Sequence, residues 1–267
     1  MLKKSRRLNV NNVKSVSHNL ILVSFIPIIL VIIWEVLGSK GIINRSIMPA
    51  PSRIFKTFEE MIFNGELKRH LLISTIRVVE GFGIGSIAGI LIGVLMGLFN
   101  NIDKSLTFLV GVLRPIPIIA WIPIFILWMG IDNGSKIAVI ALGSFWPVLI
   151  NTIHGIKSAD NKLLEVATIL EKSKFQILAK VIFPCALPSI FTGIRLGIGS
   201  AWMSVVAAEM IAAATGIGYL IMYARELSQP DVMLVGVVSI GIIGLLIDYL
   251  IRKLQNKVLK WNLAKKL

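Results

Sequence analysis

Residues 157–189 read KSADNKLLEVATILEKSKFQILAKVIFPCALPS, a long polar stretch between two apolar runs. Its apolar residues recur at helical spacing: Leu163, Leu164, Val166, Ala167 and Leu170, then Phe175, Ile177, Leu178, Val181 and Ile182. Glu165, Glu171 and Lys172 interrupt the first group, and Pro184 and Pro188 end the second. A period near 3.6 with charges between predicts two short amphipathic helices, after which the chain returns to an apolar environment at Pro184. Their apolar faces need cover from a membrane, from the chain's own helices or from another protein.

The flanking sequence shows what that environment is. A bilayer core about 30 Å thick takes roughly 20 apolar residues of helix. Six stretches qualify: Leu20–Gly38, Gly81–Phe99, Ser105–Gly130, Ile137–Ile156, Ile190–Ala214 and Val232–Ile251. Of the 267 residues 55% are hydrophobic and only 16% charged, against roughly 25% charged in soluble domains. So apolar a chain is neither disordered nor an ordinary soluble protein. Cys185 is the single cysteine, which excludes a disulfide scaffold. The net charge of +14 would suggest nucleic acid in a soluble protein. Here the basic residues collect at the ends of apolar runs, which points to anionic lipid headgroups and no nucleic acid.

The distribution of Lys and Arg sets the expected orientation. With the N-terminus in the cytoplasm, segments 1–19, 100–104, 157–189 and 252–267 lie inside and carry 17 basic residues. The outer segments 39–70, 131–136 and 215–231 carry 8. The bias predicts a multi-pass plasma-membrane protein with both termini cytoplasmic, although 39–70 alone holds six of the eight. The first apolar run is long, ends in Trp34-Glu35 and lacks a small-residue cleavage pattern, so it is expected to remain as a helix. Three regions follow: 1–70 with a basic tail, first span and external linker helix; a membrane core over 71–255 that includes the 157–189 loop; and a basic tail over 256–267. In the linker, Pro51 cannot sit inside a helix, and Ser52 is the expected N-cap of a helix over Arg53–Phe63.

Within the spans, Gly81, Gly85, Gly89, Gly93 and Gly97 form an unbroken i, i+4 series on one helix face. In lipid such a face lets backbones approach closely, within one subunit, between subunits or along a pore. Arg114-Pro-Ile-Pro-Ile-Ile-Ala-Trp-Ile-Pro123 holds three prolines and must break its helix. Arg114 either snorkels to the cytoplasmic boundary or lines a polar path. Glu209 is an ionisable group inside an apolar run, suited to a structural hydrogen bond or a gate. Asp248 is placed to pair with Arg252 one turn later. Arg, Ser, Asn and Trp N–H groups suit an anionic solute, which makes Arg114, Trp121, Ser144, Asn151, Trp202 and Ser204 path candidates beside Glu209. His18, His70 and His154 are scattered, so no metal site is predicted. No G-K-[ST] sequence is present, so the chain offers no phosphate-cradling loop and no cofactor is expected on it.

At residues 165–184 the sequence resembles the permease subunits of bacterial ABC importers. Their signature is E-A-A, three residues, G, nine residues, then I-x-L-P. Here it reads Glu165-Val166-Ala167, Glu171 where glycine is usual, then Val181-Ile182-Phe183-Pro184, with the spacing intact. Trp34-Glu35, Met48-Pro-Ala-Pro51, Arg77–Gly81, Arg114-Pro-Ile-Pro117, Ala120–Pro123 and Ala208-Glu209 followed by Gly216-Ile-Gly-Tyr219 are similar to the nitrate/sulfonate/taurine-type branch. The resemblance implies an all-α integral membrane protein of the type I importer-permease (MetI-like) fold with about six transmembrane helices. It implies a non-enzymatic transport subunit, most simply a homodimer, served by cytoplasmic ATP-binding subunits and an extracytoplasmic solute-binding protein. It assigns ATPase coupling to the loop residues Leu164, Glu165, Val166, Ala167, Leu170, Glu171, Val181 and Pro184, with Leu164, Ala167 and Leu170 docking in an apolar groove. An ion-gradient-driven transporter would be expected to show paired repeats with broken helices, and a membrane-embedded enzyme a catalytic constellation; neither is visible in the sequence.

Overall fold

The computed structural model describes residues 10–259. The basic tail over residues 1–9 and most of the C-terminal tail, residues 260–267, lie outside the described residues. Between them the chain is helical throughout: α1 (Val10–Ser39), α2 (Pro51–Phe63), α3 (Glu66–Leu98), α4 (Asn100–Leu113), α5 (Ile118–Met129), α6 (Asn133–Lys157), α7 (Asn161–Ile169), α8 (Lys174–Ile177), α9 (Phe183–Ala212), α10 (Ile217–Glu226) and α11 (Pro230–Val258). Four rods are long and apolar enough to span a bilayer: α3, α6, Lys174–Ala212 and α11. The bent pair α4 and α5 makes a fifth if taken as one span, and Phe25–Ser39 of α1 is a shorter apolar helix. All six apolar stretches of the sequence therefore fall in helices.

Helix α6 is the axis of the bundle, with α3 on one side and α9 on the other. Small residues decide both seams. The glycines of α3 face α6: a Cβ at Gly81 would lie 2.6 Å from Ile140 Cβ, and one at Gly93 would lie 2.7 Å from Thr152 Cβ. Across the other seam a Cβ at Gly155 would lie 2.9 Å from the carbonyl of Ala186, and one at Gly193 would lie 2.8 Å from Asn151 Cβ. Helices this close gain dispersion contacts along their whole length, which in lipid replaces the missing hydrophobic drive. Large side chains such as Ile84, Ile87 and Leu91 point away from the seam and are exposed, as lipid-facing groups should be.

Helix α1 meets the rest of the chain chiefly at α2. Trp34 packs against the cluster of Ile54, Met61, Leu67, Ile217, Leu220 and Val235. Ser52 is not the N-cap of α2. The helix starts two residues earlier than Arg53, at Pro51, whose missing N–H costs nothing in a first turn. The Ser52 N–H and Oγ–H instead donate to Glu35 Oε2 and Oε1, each at 2.8 Å. A carboxylate from α1 thus caps α2 from outside.

The segment after α7 also differs from the expectation of two separate short helices. Helix α8, a π-turn over Leu178–Ile182 and α9 form one continuous 39-residue rod. The Phe183 N–H reaches back to the Leu178 carbonyl, a five-residue step. That wider turn admits Pro184, which has no N–H to give, without ending the helix. At about 1.5 Å per residue the rod is nearly 60 Å long, about twice the bilayer core, so one end stands clear of the apolar layer.

Candidate translocation path and coupling surface

Helices α4 and α5 meet at an angle of 99°. Arg114-Pro115-Ile116-Pro117 fills the break, because the two prolines remove two of three successive helix donors. Beside it opens a cavity of about 940 Å³. Arg114 and the two prolines form one wall, Trp146, Pro147, Ile150 and Asn151 of α6 a second, and Arg195, Leu196, Gly199 and Met203 of α9 a third. Asp248 and Gln255 of α11 complete it. Arg114 is exposed and makes no ion pair among the described residues. Arg195 Nε donates to Asp248 Oδ1 and Arg252 Nε to Asp248 Oδ2, both at 2.7 Å. The Asp248–Arg252 pair is the one its spacing suggested. Arg195 stands 53 residues from Asp248, so no local spacing pairs them.

Of the seven path candidates, the structure brings Arg114 and Asn151 to this cavity. The other five sit elsewhere. Ser144 and Ser204 are buried and donate to carbonyls of their own helices, at Ala141 and Ser200. The Trp202 indole N–H donates to the Ile240 carbonyl at 3.1 Å. Trp121 stacks on Phe125, and its indole nitrogen is buried. A polar side chain in an apolar run is as well suited to tying its own helices together as to lining a path.

Glu209 is 1% exposed and anchors a polar hub instead of lining the cavity. Arg77 Nη1 donates to Glu209 Oε1 at 2.7 Å. The other Arg77 N–H groups reach the Thr215 carbonyl and hydroxyl and Asn133 Oδ1, so all five guanidinium donors have an acceptor. Ser74 Oγ donates to the same carboxylate at 2.8 Å and accepts the Ile217 N–H, while the Gly218 N–H donates to Glu209 Oε2 at 3.1 Å. His70 Nδ1 lies 3.0 Å from Gly216 N. Gly216 has φ +117°, and a Cβ there would collide with the Glu209 carboxylate. Close by, the buried Lys136 Nζ donates to the carbonyls of Ile131 and Asp132. A buried ion pair is tolerable when every donor and lone pair is used, and this one joins α3, α6, α9 and α10. The partners stand 132 residues apart in sequence, so no local pattern could reveal them.

At the other end of the rod, Asp160 Oδ1 accepts the Lys162 N–H and caps α7. Helix α7 ends in a Schellman turn: the Lys172 N–H donates to the Ala167 carbonyl at 3.1 Å and the Glu171 N–H to the Thr168 carbonyl at 2.9 Å. Glu171 itself takes the left-handed conformation, φ +49°. The glutamate therefore makes the turn that glycine would make, by the same geometry and with a Cβ penalty. Ser173 and Gln176 then close a reciprocal capping box for α8. Ala167, expected on the docking side, is 6% exposed and turned into the loop itself, and Leu164 is half-buried. A hollow of about 330 Å³ beside Ala167 is lined by Leu163, Val181 and Pro184 among others. The apolar side chains most exposed on this turn are Val166, Ile169, Leu170 and Phe175, the last 78% exposed. Glu165 is exposed beside them.

The chain is similar to known proteins in sequence and in fold. Residues 85–260 match the family described as binding-protein-dependent transport system inner membrane component. The chain is 43% identical to the putative aliphatic sulfonates transport permease protein SsuC of Bacillus subtilis, over 89% of this chain and 86% of that one. It is 32% identical to the taurine transport system permease protein TauC of Escherichia coli, over 88% and 87%. Among solved structures, an inward-facing MetNI methionine ABC transporter matches with a TM-score of 0.65 at 18% identity, covering 75% of this chain and 98% of that one. The broken α4–α5 pair, the glycine seams and the capped turn at Glu171 thus belong to a multi-pass inner-membrane protein, and the chain is a member of the inner membrane components of binding-protein-dependent transport systems, the permease subunits of ABC importers.

Proposed function

We propose that this permease carries a small organic anion, of the sulfonate class, through the cavity beside Arg114. The observation that carries this reading is the charge of the cavity wall. Arg114 and Arg195 line it with Asp248 as the one acid, and Arg252 already shares that carboxylate. An excess of guanidinium over carboxylate in an apolar setting favours an anion and repels a cation. The relatives named for aliphatic sulfonates and taurine support the same class.

The permease works as two copies, the second closing the side of the cavity where Thr192, Leu196 and Met203 are exposed. Both termini and the 158–173 turn face the cytoplasm, as the basic residues require. A separate ATP-binding subunit receives the outward apolar face of Val166, Ile169, Leu170 and Phe175, with Glu165 at its edge. An extracytoplasmic binding protein delivers the solute on the opposite side. ATP-driven closure of the subunit favours one orientation of the path over the other, which is the differential affinity that alternating access needs.

The test is reconstitution of the permease with its ATPase and binding protein in proteoliposomes. ATP-dependent uptake of a labelled alkanesulfonate, abolished by Arg114→Gln with ATPase binding retained, is expected. Uptake driven by a cation gradient without ATP would overturn the reading. Cysteine labelling at Lys174 in a Cys185→Ala background should occur from the cytoplasmic side alone.

A further inference from the structure

We infer that Asp248 is an internal stand-in for the solute's anionic group, and that the cavity receives a net monoanion with an apolar tail at Arg114 and Arg195. The inference rests on the anion reading above and deepens it.

Arg195 gives Asp248 only its Nε–H. Its two terminal nitrogens, which carry four of the five guanidinium donors, have no hydrogen-bond acceptor among the described residues. The Arg195 side chain is 35% exposed and that of Asp248 37%, so this is an open pair at a cavity wall. It contrasts with Arg77, which spends every donor in a sealed site. Arg252 holds the other oxygen of Asp248 from one turn away on α11. Asp248 therefore keeps a partner when Arg195 turns from it. A guanidinium with a free planar fork and a replaceable carboxylate matches an oxyanion that offers two or three acceptor oxygens. Arg114, on the α4–α5 break, is a second guanidinium on the same cavity, with no ion-pair partner among the described residues.

The rest of the wall sets the tail. Pro115, Ile116, Trp146, Leu196 and Met203 are apolar, and Leu196 and Met203 are exposed. They suit a short alkyl chain and offer nothing to a fully hydrated inorganic anion. An ammonium group on the solute would meet Asp248 only between two guanidinium groups. Charge repulsion there disfavours a zwitterion relative to the plain alkyl anion.

The test uses the complete permease–ATPase complex in nanodiscs, titrated with butanesulfonate, taurine and sulfate. Butanesulfonate is expected to bind about tenfold more tightly than either. Asp248→Asn is expected to tighten butanesulfonate by about tenfold, by freeing Arg195, and Arg195→Gln and Arg114→Gln to weaken it by a similar factor. Met203→Ser should erase most of the preference for butanesulfonate over methanesulfonate in a complex that still elutes as the intact assembly. Equal binding of butanesulfonate and taurine, or an Asp248→Asn complex that melts like the wild type and binds no more tightly, overturns the inference. Should Asp248→Asn fail to fold, the Arg114→Gln and Met203→Ser results decide it in the same way. Uptake in proteoliposomes separates the two layers. Alkanesulfonate uptake by the wild type with binding indifferent to these residues sinks this inference alone, whereas no ATP-driven uptake of any organic anion sinks the anion reading with it.

Discussion

Arg77 and Glu209 meet at 2.7 Å between α3 and α9, with side chains 7% and 0% exposed. Removing either charge leaves the other buried and alone. Glu209→Gln is expected to keep the hydrogen-bonding shape yet strand the guanidinium, and Arg77→Met to strand the carboxylate. Each should cost about 3–5 kcal/mol, measured as a large fall in the melting temperature of the detergent-solubilised protein. The double variant Arg77→Met/Glu209→Gln should recover part of that loss, and purely additive losses would argue against a coupled pair.

Glu171 pays a steric penalty for its left-handed backbone at the end of α7. Glu171→Gly should relieve about 1 kcal/mol locally. Amide exchange of Lys172, whose N–H closes the Schellman turn on Ala167, should slow. Faster exchange would show that the glutamate side chain contributes more than its Cβ costs.

The seam between α3 and α6 leaves no room for a methyl group at Gly81, Gly85 or Gly93. Gly93→Val should destabilise by about 1–3 kcal/mol through overpacking and lower the yield of folded protein. Gly83 lies on the same helix with nothing within 4 Å of its Cβ position. Gly83→Val is the control, and its melting temperature should stay near that of the wild type.

The Glu35 carboxylate caps α2 through Ser52. Loss of a cap of this kind costs about 1 kcal/mol. Glu35→Ala should let the start of α2 fray and loosen α1 from it, detected as increased proteolysis between residues 40 and 50. Ser52→Ala should have a smaller effect, because the backbone N–H still reaches the carboxylate.

Much of the fold was legible because it depends on local spacing. The six apolar runs set the helices, Pro115 and Pro117 set the α4–α5 break while Pro123 stays inside α5, and a strict four-residue glycine period set the α3 face that packs on α6. The cavity was partly legible: Arg114 and Asn151 line it, while Ser144, Trp202 and Ser204 carry polar groups that bind their own bundle. What escaped the sequence was long-range pairing. Glu209 announced itself as an ionisable group in an apolar run, but Ser74 and Arg77 of α3 and Gly218 of α10 come to it from two other stretches of chain. The direction of Ala167 also escaped, because a nine-residue helix with apolar residues on several sides does not say which side the chain itself will cover.

The unbroken rod from Lys174 to Ala212 has a mechanical corollary. It carries the turn beside Glu171 at one extremity and Glu209 near the other, roughly 50 Å apart at the rise of an α-helix. Since its middle is locked against α6 by Gly193 and Gly197, it cannot bend freely there. A push delivered at Phe175 would travel as the tilt of a stiff lever, whose hydrogen-bond ladder is interrupted only near its start, at the wide turn over Leu178–Ile182 and at Pro188.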